Sequence, residues 1–157
     1  MPNLNALSAD EAEKELLACC ASRAFAREVA ALRPYQDLAA LTAAADAAVR
    51  ALAWPDVEEA LAAHPRIGER AEGADRESAW SRQEQSGVED HLRQALAEGN
   101  RAYEERFGHV YLICATGLSG EQMLARLKER LANDPGTERE VVRDELAKIT
   151  NLRVAKI

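Results

Sequence analysis

Apolar residues recur along this chain at intervals of three and four, and most of the runs open and close on recognisable signals. Ser8 with Glu11 spells a capping box, S-x-x-E, ahead of a face formed by Leu16, Leu17 and Cys20. Ser22 to Leu32 predicts a second short helix that ends near Arg33-Pro34, because proline disfavours helical backbone in the residue before it. Asp37 caps a third, with Leu38, Leu41, Ala45, Ala48, Val49 and Leu52 at helical spacing. Trp54-Pro55 interrupts, and Pro55 opens a helix through Ala63 that stops at His64-Pro65.

Residues 66–74 hold two glycines and few large apolar groups and read as a loop. Asp75 or Ser78 starts a helix that carries Ser81, Glu84 and Gln85. A long helix from about Val88 to Phe107 follows, closed by Gly108. Val110 to Ala115 (VYLICA) is the one β-like or extended run, broken by Thr116-Gly117. Ser119 with Gln122 boxes a helix over Glu121 to Leu131. Asn133-Asp134-Pro135-Gly136 spells a turn, and Thr137 with Glu140 a third box, for a final helix that includes Ile149 and Leu152. These signals predict an all-α fold: one compact domain over 1–157, a bundle of seven to eight helices.

Composition supports that class. Apolar residues make up 47% of the 157 positions but aromatics only 4%, so alanine, a strong helix former, supplies much of the count. The net charge is −7, with both signs interspersed and no basic stripe, which argues against a nucleic-acid partner. The cysteines are Cys19, Cys20 and Cys114, an odd number with no C-x-x-C pair, which disfavours a disulfide framework or a zinc site. No apolar run reaches the roughly 18 residues that span a bilayer, so no membrane partner is expected. The N-terminus lacks a secretory layout and the C-terminal AKI is not a peroxisomal address. A cytoplasmic protein is the expectation.

Two islands break the helical rhythm. HPRIG spans His64 to Gly68, and SRQEQ spans Ser81 to Gln85. His64, held before a proline at a helix end, can turn its ring away from the helix line, and imidazole exchanges protons near neutral pH. Ser81 and Glu84 share a helix face, and Gln85 lies about 100° round from Glu84. A carboxylate there accepts from N–H groups, while the amide and hydroxyl both donate and accept. Together they can grip a polar heterocycle and move a proton on or off it without metal or cofactor. The backbone of Ile113, Cys114, Ala115, Thr116 and Gly117, between an extended run and a helix cap, can present N–H groups to an oxyanion.

Other candidates have plain readings. An isolated histidine more often caps or packs, and S-x-x-E-Q alone is a common solvated helix face. Arg66 and Arg70 could meet a carboxylate but read as surface arginines. His91 and His109 lack partners at metal-ligand spacing, and Cys114 reads as a buried inert thiol. A helical interaction module, with HPRIG as a structured turn, and a ureide hydrolase or isomerase remain open alternatives.

The ordered set is more specific than its parts. HPRIG is followed by S-x-x-E-Q, then N-x-x-Y-x-x-x-F-G (Asn100, Tyr103, Phe107, Gly108) and ICA-x-G. R-L-x-N-D (Arg130 to Asp134) and E-x-x-K-I-x-x-L-R (Glu145 to Arg153) complete it. In this order the motifs resemble the 2-oxo-4-hydroxy-4-carboxy-5-ureidoimidazoline (OHCU) decarboxylase family over nearly the whole chain. The resemblance implies an all-α, cofactor-free homodimeric carboxy-lyase that makes (S)-allantoin in urate degradation. It implies His64 and Glu84 as catalytic residues. Substrate contacts would fall on Pro65, Ser81, Glu84, Gln85 and residues Ile113, Cys114, Ala115, Thr116 and Gly117, with no metal. Some family members carry a basic residue near Thr116 or Gly117; this chain does not.

Overall fold

Ser8, Ser22, Asp37 and Ser119 each start a helix as their contexts predict. The computed structural model describes residues 2–67 and 90–157. Eight helices occur among them: α1 (Pro2–Ala6), α2 (Ala9–Cys19), α3 (Arg23–Ala31), α4 (Leu38–Arg50), α5 (Trp54–Leu61), α6 (Asp90–Phe107), α7 (Gly120–Leu131) and α8 (Pro135–Val154). No strand occurs among the described residues. The capping boxes of α2 and α7 are both closed, with Ser119 Oγ accepting from Gln122 N at 3.1 Å and Gln122 Oε1 from Ser119 N at 2.9 Å. Asp37 accepts from Ala40 N at 2.8 Å at the start of α4. At α5 no side chain caps, and proline in the first turn presets the backbone instead.

Two expectations change. α1 precedes the first predicted helix; it is a single short turn with too few apolar positions to show a period. The final helix starts at Pro135, not after a Thr137 cap. Asp134 takes the capping role: its carboxylate accepts from Thr137 N at 3.1 Å and Thr137 Oγ1 at 2.6 Å, and its carbonyl accepts from Glu138 N at 3.0 Å. A carboxylate before a proline is the better cap, because proline at the first helical position lacks only an N–H that the helix could not use. The Thr137 bonds hold the Asp134 carboxyl below its ordinary pKa.

The chain packs as two units, 1–63 with 143–157 and 64–142. In the first, α1 packs on α2, α2 on α3 and α3 on α4. Leu16, Phe25, Val29, Leu41, Val49, Val57 and Leu146 are fully buried there. Arg33 closes the α3 end by donating to Ala30 O, Leu4 O and Leu7 O, and Asn5 exchanges two bonds with the Tyr35 backbone. On α4, Arg50 bridges Asp46 at 3.0 Å and Asp144 at 3.1 Å. The Arg50 bond, chiefly, holds the Asp46 carboxyl below its ordinary pKa.

In the second unit α6 packs on α7. Ile67, Leu96, Tyr103, Tyr111, Ile113, Ala115, Met123 and Leu127 form one buried cluster. The helices approach closely at Gly99, where an added Cβ would overlap the Leu127 side chain. Gly99→Ala should therefore destabilise by about 1 kcal/mol, since overpacking costs roughly 1–3 kcal/mol and outweighs the ~1 kcal/mol gain in helix propensity. In a Leu127→Ala background the overlap is gone, and the same change should stabilise by up to about 1 kcal/mol. Urea denaturation of the four proteins checks that reversal of sign.

Candidate active site

The described part of the predicted site lies on two segments of the second unit, and each is pinned by buried polar groups. The first is the HPRI turn. It leaves α5 through turn residues Ala62 and Ala63, whose N–H groups donate to Glu58 O and Ala60 O. His64 and Pro65 follow outside the helix, half-buried, with His64 Nε2 shielded from solvent. From α6, Asn100 Nδ2 donates to Ile67 O at 2.8 Å, and four residues on Glu104 takes Arg66 Nε at 2.8 Å and Nη2 at 3.0 Å. One helix face thus fixes the two residues that follow His64-Pro65. Arg66 is a paired, exposed arginine, in keeping with the surface reading.

The second segment is the predicted extended run. Residues 110–115 lie in neither helix nor strand and pair in no ladder among the described residues. Tyr111, Ile113 and Ala115 point into the buried cluster at a period of two. Cys114 is half-buried rather than buried. The run ends in a turn where Leu118 N donates to Ala115 O at 3.0 Å and Gly117 sits at φ 82°. That position needs a residue that tolerates positive φ, and glycine meets the need. Ile67, at the end of HPRI, shares the cluster with Ile113 and Ala115, which brings the two segments together.

A polar cluster behind the run holds it. Arg130 Nη1 donates to Leu112 O at 2.6 Å, while its Nε and Nη2 bind Glu138 Oε2 at 2.8 and 2.5 Å. Tyr103 also donates to Glu138 Oε2, and Asn133 Nδ2 to Oε1 at 3.1 Å. The guanidinium lies 4.8 Å from the Tyr111 ring centre, and Tyr111 donates to Met123 O at 3.0 Å. Burial, and then the bond to Glu138, hold the Tyr103 phenol far above its usual pKa, so it stays a donor. Burial works against the Arg130 charge, but its Glu138 bonds prevail and raise its pKa. The motif positions Asn100, Tyr103, Arg130 and Asn133 are therefore supports of the two segments. Glu138 carries no motif signal; an acidic residue in the first turn of a capped helix, eight positions after Arg130, was the available hint.

Gly68, Arg70, Ser81, Glu84, Gln85 and the side chain of His91 lie outside the described residues. His109 has an ordinary role: its Nδ1 donates to Val110 O at 3.1 Å and its ring meets Phe107 and Tyr103. Among the described residues, no group of three His, Cys, Asp or Glu side chains is placed to hold a metal ion, and no helix is long and apolar enough to cross a membrane.

Comparison with known proteins identifies the family. A family model for OHCU decarboxylase matches residues 5–155. The chain belongs to the OHCU decarboxylase family. It is 33% identical to the uric acid degradation bifunctional protein TTL of Arabidopsis thaliana, over 92% of this chain and 47% of that protein. A 2-oxo-4-hydroxy-4-carboxy-5-ureidoimidazoline decarboxylase of Amia calva is 45% identical over 58 residues, 37% of this chain and 33% of that one. The match thus spans about half, or less, of the length of these two relatives. A crystal structure of OHCU decarboxylase in the presence of (S)-allantoin superposes with a TM-score of 0.78 at 31% identity, over 90% of this chain and 95% of that one. The supports described above are this family member's own framework for its HPRI turn and its 110–117 run.

That framework predicts a contrast in stability. Tyr103→Phe removes a buried donor from a charged acceptor and should cost about 1–3 kcal/mol. Glu104→Gln loosens a solvent-exposed pair and should cost less than about 1 kcal/mol. Thermal unfolding of both variants checks the order.

Proposed function

We propose that this chain decarboxylates OHCU to (S)-allantoin in urate degradation, as a cofactor-free carboxy-lyase with 1–157 acting as one functional domain. The observation that carries the reading is the family match over 5–155, joined to a histidine at a helix stop whose HPRI turn shares a buried cluster with the 110–117 run. The substrate has a ring carbon bearing hydroxyl and carboxylate, next to an imine carbon bearing the ureido group. When CO2 leaves, the electron pair of the broken C–C bond moves toward the adjacent C=N, and the ring nitrogen takes up a proton. The resulting enol regains a C–H at the ureido-bearing carbon as its hydroxyl becomes the carbonyl. The substrate is its own electron sink, so the protein's work is to orient the carboxylate, stabilise developing charge and deliver a proton to one face.

In this reading His64 transfers the proton and Glu84 receives substrate N–H groups. Ser81 and Gln85 fix the ring, Pro65 shapes a wall, and the backbone of Ile113, Cys114, Ala115, Thr116 and Gly117 meets an oxygen. A cytoplasmic homodimer belongs to the same proposal. Freshly prepared OHCU, with CO2 release followed directly, separates decarboxylation from hydrolysis or a pure binding role.

His64→Asn should keep the helical circular-dichroism spectrum and lose about 10²–10⁴-fold in kcat, the usual scale for a general acid–base group. A folded variant with near-normal turnover would remove His64 from this role. Stereochemistry tests the proton's delivery. Turnover in heavy water should give one enantiomer labelled at the ureido-bearing carbon, since a difference of only about 1.4 kcal/mol between faces is a tenfold bias. Racemic product formed during fast turnover would place protonation after release.

A further inference from the structure

Among the described residues, Arg130 touches the candidate site through one atom: its Nη1 donates to the carbonyl oxygen of Leu112. That carbonyl belongs to the same peptide unit as the N–H of Ile113, the first residue of the 113–117 backbone. A cation bonded to the oxygen of a peptide draws electron density from its nitrogen and makes the N–H a stronger donor. It also fixes the peptide plane. Every other part of the guanidinium is committed elsewhere: Nε and Nη2 to Glu138, and one face to Tyr111. Glu138 is fully buried and is itself held by Tyr103 and Asn133, so the fork has no freedom to swing.

We propose that Arg130 is a positioning residue for the reaction, fixing and polarising the 112–113 peptide so that the Ile113 N–H meets developing negative charge as a preorganised donor. This rests on the assignment of OHCU decarboxylation to the chain and of the 113–117 backbone to the substrate. Because the effect reaches charge that develops in the transition state, it acts on kcat more than on KM. Arginine is required: its planar fork reaches Leu112 and Glu138 at once, whereas a lysine ammonium reaches one or loses both.

The test uses the full chain, with OHCU as substrate and the amide resonance of Ile113 as a second readout taken without substrate. Arg130→Lys should lower kcat by about tenfold to a hundredfold, less than outright loss of an oxyanion donor, with KM little changed. It should also shift the Ile113 amide proton upfield. Glu138→Asp, which keeps the charge but withdraws the anchor by one methylene, should do the same more weakly, and stands in if Arg130→Lys does not fold. Val29→Ala is the control: it opens a cavity in the core of the first unit and touches none of this cluster, so it should lower Tm and leave kcat near wild type. The proposal is overturned if Arg130→Lys retains kcat, or if all three variants lose kcat in proportion to Tm. An unmoved Ile113 amide beside full wild-type turnover overturns the peptide polarisation and leaves the reaction standing. A moved amide in a wild-type chain that never consumes OHCU overturns the reaction and leaves the polarisation.

Discussion

The buried ion pair between Arg130 and Glu138 is the interaction on which the second unit is organised. Taking both charges out of water costs several kcal/mol per ion in general, and attraction between them recovers that only when their remaining hydrogen-bonding capacity is also met. Here it is largely met: Glu138 accepts from Arg130, Tyr103 and Asn133, and Arg130 adds the Leu112 carbonyl. A well-packed apolar pair could give similar stability. It could not hold a backbone carbonyl of an irregular run that has no ladder partner among the described residues. The pair joins Tyr103 of α6, Arg130 of α7, Glu138 in the first turn of α8 and Leu112 of the 110–115 run in one network.

Irregular backbone outside helix and sheet is costly when buried, since each N–H and C=O needs a partner. This chain meets that need from helices, with Arg130 of α7 holding Leu112 O and Asn100 of α6 holding Ile67 O. Both site segments are therefore irregular chain fastened to regular elements. A helix could not present consecutive N–H groups sideways, because its own carbonyls consume them. Irregular backbone can, provided side chains from neighbouring helices replace the missing ladder. The motif residues without obvious chemistry, Asn100, Tyr103, Arg130 and Asn133, are what that replacement requires.

Local signals were legible in the sequence wherever the physics is local. Ser8 with Glu11, Ser119 with Gln122, Asp37, Pro55 and Gly108 all act within four residues, and each marks the boundary it predicts. The exchange of roles between Thr137 and Asp134 shows the limit of such reading. Both residues can cap, and the choice turns on Pro135, whose helix-opening preference competes with its turn preference. Long-range partners left no local trace. Leu112 and Arg130 are eighteen residues apart, Ile67 and Asn100 thirty-three, and nothing periodic links them. The ordered motifs pointed to the family, but the purpose of half their residues emerged only from the packing.

A reaction whose substrate carries its own electron sink leaves the protein little covalent chemistry and much geometry. Stabilising developing charge requires donors already in place, since donors that must reorganise spend the energy they would supply. Side-chain donors on exposed helices have rotamer freedom to lose, whereas a peptide N–H clamped from its carbonyl side has almost none. The rigid groups accordingly lie behind the 113–117 backbone, while the single proton-exchanging group proposed here, His64, sits at a turn that α6 fastens through Ile67 and Arg66. A buried charge network that clamps one peptide from its carbonyl side fits a function in which fixing a peptide plane matters more than deepening the fold.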